Sequence, residues 1–110
     1  MNIEKNEIIN KLKINKNTLE KFGVRRIGLF GSYATETAKE DSDIDILIDL
    51  STDKGMYQNY CKTKYFLEDL FHKEIDLITL NQFEQEYKTK IARDNQKKIR
   101  EEILESVIYV

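Results

Sequence analysis

The chain has 110 residues, 40% of them hydrophobic and 35% charged, with a net charge of −2. That length supports one domain, residues 1–110, with a small core, and the composition is that of a soluble globular chain with a wet surface. The slightly acidic balance argues against a phosphate-tracking nucleic-acid binder, which would be clearly basic, and leaves room for a basic protein partner. No apolar run approaches membrane-spanning length, and the N-terminus lacks a secretory apolar segment. Cys61 is alone, so no intrachain disulfide can form and the chain reads as cytoplasmic. Its expected role is that of a small apolar helix residue.

Residues 2–13 carry Ile3, Ile8, Ile9 and Leu12 among Lys, Glu and Asn, the pattern of an amphipathic helix. Asn15 or Asn17 is placed to cap a short second helix through Leu19 and Phe22, which Gly23 stops. Both helices are expected to cover one side of a sheet. Val24 to Phe30 reads as the first strand. Arg25 and Arg26 lie at its start, far from Gly31-Ser32, and are expected to be solvated or ion-paired rather than phosphate ligands.

At the end of that strand stand Gly31 and Ser32. A small, flexible pair there lets backbone N–H groups turn toward a phosphate, and the Ser hydroxyl adds a donor. A short helix over 33–38 would contribute N-terminal N–H groups. A ten-residue spacer separates Ser32 from Asp43-Ile44-Asp45-Ile46-Leu47-Ile48, which opens a second strand over 43–50. Spacing of i and i+2 puts Asp43 and Asp45 on one face of a strand. Like charges held there repel unless a cation lies between them, and an all-oxygen set suits Mg²⁺ or Mn²⁺. Ile44, Ile46 and Ile48 form the opposite, buried face. Asp49 reads as a solvated strand end, too far along the strand to be a third ligand.

A polar loop, 51–56, leads into helical spacing from Met56 to Phe71, with Tyr57, Tyr60 and Tyr65 as core or rim residues. His72, at its end, reads as a surface residue. Glu74 to Leu80 alternates into a third strand carrying Asp76. Strand, helix, strand is a crossover unit, so the second and third strands should run parallel, while the short link between the first and second makes them antiparallel. Chain direction alone then gathers Ser32, Asp43, Asp45 and Asp76 at one end of a mixed three-stranded α/β (α+β) sheet flanked by helices. Residues 82–106 give a long helical pattern (Phe83, Tyr87, Ile91, Ala92, Ile99, Ile103), whose stripe shifts near Asp94-Asn95 and predicts two helices or a kink. Lys88, Lys90, Arg93, Lys97, Lys98 and Arg100 read as a solvated basic face, with a docking surface for an acidic partner or for phosphates as the alternative. Val107 to Val110 is β-rich and expected to pack back on the domain.

Gly31-Ser32, a ten-residue spacer and Asp43-Ile44-Asp45 together resemble the signature of the DNA polymerase β-like nucleotidyltransferases. The length matches their smallest branch, the minimal nucleotidyltransferases that act as antitoxins beside HEPN toxins. The resemblance covers residues 24–50 well, 73–80 moderately and the C-terminal tail weakly. It implies that Asp43 and Asp45 bind two Mg²⁺ ions, that Asp76 is the third carboxylate, and that Gly31 and Ser32 grip the β,γ-phosphates of ATP. It further implies AMP transfer to a tyrosine hydroxyl of a HEPN-family RNase toxin, in a hetero-oligomer with it, with no membrane and no direct nucleic-acid partner. The chain departs from the family at one place. Members often continue Gly-Ser-x-Ala-Arg-Gly, whereas here Thr35 and Glu36 stand where the Arg and Gly would be. Two other readings stay open: an antitoxin that neutralises by binding alone, and a small-molecule nucleotidyltransferase served by a separate acceptor-binding subunit.

Overall fold

The computed structural model describes residues 3–52, 55–84 and 89–110. Tyr87, Lys88 and part of the 51–56 loop lie outside them. The order is α1 (Lys5–Ile14), α2 (Lys16–Lys21), β1 (Val24–Phe30), α3 (Gly31–Ala34), β2 (Ile44–Leu50), α4 (Met56–Phe71), β3 (Ile75–Thr79), a 3-10 segment (Leu80–Glu84), α5 (Lys90–Ser106) and β4 (Ile108–Tyr109). No helix among the described residues is long and apolar enough to cross a membrane.

The sheet has four strands in the order β3-β2-β1-β4, not three. β1 and β2 are antiparallel and β2 and β3 parallel, as chain direction required. The added strand comes from the β-rich tail, which pairs antiparallel with β1 through Gly28↔Tyr109 and Leu29↔Ile108. Gly28 makes that pairing possible. A Cβ there would meet Val107 Cγ2 at 2.7 Å, the Ile108 carbonyl oxygen at 3.1 Å and Tyr109 Cδ1 at 3.2 Å.

Alternation along β2 divides the structure into two unequal layers. Ile44, Ile46, Ile48 and Leu50 face Ile8 and Leu12 of α1, Leu19 of α2, and Leu67 and Phe71 of α4 in the main core. Asp45, Leu47 and Asp49 point the other way, where the cover is thin. There Leu47 and Phe30 pack beneath Ile103 of α5, flanked by Ile78, Leu80, Phe83 and Val107. Only the C-terminal part of α5 supplies a buried residue, and Ile91 and Ile99, which precede it on the helix, stay exposed.

Local chemistry explains the element ends. Asn15 does not cap α2 with its side chain; its Nδ2 donates to the Lys11 carbonyl at 2.7 Å and so closes α1. Gly23, at φ +83°, ends α2 where a Cβ would be strained. The side chain of Asn81 brackets Leu50, accepting from its N–H and donating to its carbonyl, both at 3.2 Å, which continues the ladder past the end of β3. The expected break at Asp94-Asn95 does not occur: α5 runs unbroken from Lys90 to Ser106. The apolar stripe shifts because the first half of α5 projects past the core, so packing does not constrain it.

Gly28→Val should destabilise the fold by about 1–3 kcal/mol through overpacking. Urea unfolding checks the loss, and hydrogen exchange should show the Ile108–Val110 amides losing protection first.

Candidate active site

The site lies where β1 ends and β2 and β3 begin. Asp45 sits opposite Asp76 in the parallel ladder and opposite Phe30 in the antiparallel one. The sheet therefore holds two carboxyl groups side by side. Asp45 is pushed from its ordinary 3.8 up to about 6. The first cause is burial, followed by the charge of Asp76, the hydrogen bond with Asp76 and the charge of Asp43. One interaction opposes these: the backbone N–H of Ser32 donates to the Asp45 carboxylate.

Asp43 falls one residue ahead of β2 and is exposed. It acts on Asp45 through its charge. Among the described residues no three His, Cys, Asp or Glu side chains are drawn tightly enough together to form a metal cage. The donors fit a divalent cation by chemistry. They are all oxygens, and burial together with the charges of Asp76 and Asp43 raises the cost of ionising Asp45, a cost that a bound cation would offset.

Gly31 is required by this contact. Its φ is +72°, and a Cβ would collide with Oδ2 of Asp45 and lie 2.9 Å from its Cγ. The Gly31 N–H donates to the hydroxyl of Ser106 at 3.2 Å, 75 residues away at the end of α5. Both backbone donors of the Gly31-Ser32 turn are thus engaged inside the protein, one by Ser106 and one by Asp45. The Ser32 hydroxyl has no hydrogen-bond partner among the described residues. Ser106 carries no sequence signal. It is an ordinary serine far along the chain, placed only by the docking of α5 and β4.

The helix expected over 33–38 is a single turn, α3, closed by Thr35. The Thr35 hydroxyl donates to the Gly31 carbonyl at 3.2 Å. Glu36 then takes a left-handed conformation, φ +62°, and pairs with Lys5 at 3.3 Å. The chain therefore makes the same kind of left-handed turn that a glycine would make without strain. Arg25 and Arg26 are ion-paired, as expected. A β-bulge between Val24 and Arg26 presents both to Asp49, at 3.0 and 3.7 Å. Asp49 is thereby committed to them, about 13 Å along the strand from Asp45. His72 is exposed at the left-handed C-cap of α4.

A family model described as "Nucleotidyltransferase domain" matches residues 11–110. The chain belongs to the nucleotidyltransferase domain family. This nucleotidyltransferase is 40% identical over 76 residues to a candidate protein adenylyltransferase of Methanocaldococcus jannaschii, covering 69% of this chain and 81% of the relative. It is 43% identical over 63 residues to the protein adenylyltransferase MntA of Thermococcus cleftensis, covering 57% of this chain and 63% of that protein. A solved candidate minimal nucleotidyltransferase shares its fold, with a TM-score of 0.71 at 21% identity over 96% of this chain and 95% of that one. A structure of the MntA-HpeT toxin–antitoxin gives a TM-score of 0.55 at 18% identity over 97% of this chain and 72% of that one. At these identities the two structures show likeness of fold alone.

The raised carboxyl of Asp45 makes a signed prediction. In EDTA the folded chain holds a proton that the unfolded chain releases, so this group's contribution to stability is full below about 4 and is lost as pH rises through about 6. Asp45→Asn should flatten that slope and be the more stable protein at neutral pH, by on the order of 1 kcal/mol after solvent screening. Urea unfolding across this range checks it, and identical slopes for the two proteins would contradict it.

Proposed function

We propose that this nucleotidyltransferase moves the adenylyl group of ATP onto a tyrosine hydroxyl of a cognate HEPN-family RNase toxin, with Mg²⁺, and so acts as an antitoxin. The observation that carries the reading is the Asp45–Asp76 pair, fixed by strand register against the Gly31-Ser32 turn. Support for adenylyl transfer to a protein comes from the relatives that bear that name. Support for a toxin partner comes from the likeness to the MntA-HpeT structure. Asp43 and Asp76 are exposed on the open side of the sheet, which suits an acceptor that brings its own surface.

Divalent cations bound by Asp43, Asp45 and Asp76 would neutralise the triphosphate and lower the pKa of the acceptor hydroxyl. The chain's own residues do the rest. The Asp45 carboxylate would turn from the Ser32 N–H toward the cation, and that N–H would then donate to a β- or γ-phosphate oxygen, together with the Ser32 hydroxyl. Gly31 lets the triphosphate approach the backbone closely, as it already lets Asp45 do. Asp76 accepts the proton of the acceptor hydroxyl. The hydroxyl oxygen bonds to the α-phosphorus in line with the breaking bond to the bridging oxygen, and pyrophosphate leaves. A bulky anion on the toxin then obstructs RNA binding by charge and size.

Intact-mass spectrometry of a co-expressed toxin tests this. Wild type should add AMP to the toxin, and Asp43→Ala plus Asp45→Ala should cut the rate at least about a thousandfold, because the site loses several kcal/mol of charge stabilisation. A double variant that protects cells as well as wild type, with no adduct from either protein, would leave neutralisation by binding alone.

A further inference from the structure

A second cluster of charge lies on the same face of the sheet. Arg26, Asp49, Leu80, Phe83 and Arg100 line a cavity of about 180 Å³ at the far end of β2. Four residues separate Asp49 from Asp45, about 13 Å along the strand. Asp49 accepts from Arg25 Nη2 at 3.0 Å, while Arg26 reaches it only at 3.7 Å and lies 5.3 Å above the ring of Tyr109. Arg100 has no ion pair or hydrogen bond among the described residues. Two guanidinium groups thus line the cavity with one carboxylate, which Arg25 already engages from outside it, so the cavity carries a local excess of positive charge in a chain of net charge −2.

The shape narrows the ligand. A cavity of this volume is below the range of nucleotide-sized pockets, about 300–1,000 Å³, and suits one small acid. Its polar wall offers two planar forks, the geometry that matches a carboxylate. Its other wall, Leu80 and Phe83, suits an aliphatic stem. From Arg100 the cations continue outside the cavity: Lys97 and Arg93 precede it by three and seven residues on one ridge of α5, and both are exposed. At the opposite end of the same face stand Asp43, Asp45 and Asp76, which repel anions when no cation is bound.

We propose that this cavity is a docking point for an acidic side chain, Glu or Asp, of the protein acceptor, with the ridge of α5 guiding the rest of an acidic segment. The proposal rests on the reading of the acceptor as a protein and adds where it is held. Anchored there, the acceptor is oriented along the sheet, its acidic part at Arg26 and Arg100 and its reacting hydroxyl about 13 Å away at the carboxylates. Nucleic acid fits less well, because its phosphate chain would run on toward the acidic end.

The test uses the full-length chain without ATP, so it is independent of transfer. Binding of a fluorescein-labelled oligoglutamate peptide is followed by anisotropy in EDTA, with inorganic phosphate and a single-stranded oligonucleotide as competitors. The expected result is saturable binding that weakens about tenfold or more in Arg100→Ala and is abolished in Arg100→Glu, with Lys62→Ala, a cation removed from the exposed side of α4, unchanged. Arg100 is exposed, and unaltered circular dichroism would show that the fold survives. Absence of saturable binding overturns the proposal, as does equal binding by Arg100→Ala, or displacement by the oligonucleotide or phosphate at lower concentration than by unlabelled peptide. Peptide binding without any toxin adduct would keep the docking point and reject the transfer reaction.

Discussion

Two carboxyl groups are forced together by strand register, and most of the rest follows from that constraint. In a parallel ladder the partner of Asp45 is Asp76, and neither can turn to the other face without moving a whole strand by one residue. Burial and their mutual repulsion raise Asp45 to about 6, and the Ser32 N–H turned onto Asp45 offsets part of the cost. In the proposed reaction a bound cation would balance the carboxylates, and a phosphate oxygen would take the carboxylate's place at the N–H. The strain in the ligand-free site thus has the sign that a metal-nucleotide complex would relieve.

The end of the chain is built into the same site. Gly28 leaves room for β4 to pair with β1, and that pairing fixes the C-terminus of α5, where Ser106 receives the Gly31 N–H. A two-residue strand looks minor, yet it connects the edge of the sheet to the turn that faces Asp45. The thin layer on this face, little more than Ile103 over Phe30 and Leu47, leaves both the carboxylates and the cavity of Arg26 and Arg100 accessible. One face of the sheet holds the core, and the other carries the candidate site.

What the sequence showed and what it hid divide along physical lines. Asp43-x-Asp45 after a strand, Gly31-Ser32 before a fixed spacer, and Asp76 on a crossover strand were legible because local periodicity and chain direction determine them. The β-rich, returning tail was legible too, but its place as a fourth strand was not, since two β-branched or aromatic residues make no periodic signal, and the pairing depends on the bare backbone at Gly28. The false break in α5 came from reading a shift in the apolar stripe as a bend, whereas Ile91 and Ile99 are simply exposed. Ser106 and the Asp49–Arg25–Arg26 group depend on contacts between distant segments and on a bulge, which no spacing rule reports. Thr35 and Glu36 depart from the family at the level of sequence and keep a left-handed turn at the level of backbone.

The central claim is that Asp45 and Asp76 form one cation-binding pair at the Gly31-Ser32 turn. Mn²⁺ added to isotope-labelled protein tests it most directly, because a paramagnetic ion broadens the NMR signals nearest to it. The account predicts that Gly31, Ser32, Ile44 to Ile46 and Ile75 to Leu77 broaden first, and that Asp76→Asn removes the effect. Broadening centred elsewhere, such as on Glu101 and Glu105 of α5, or unchanged in Asp76→Asn, would contradict it.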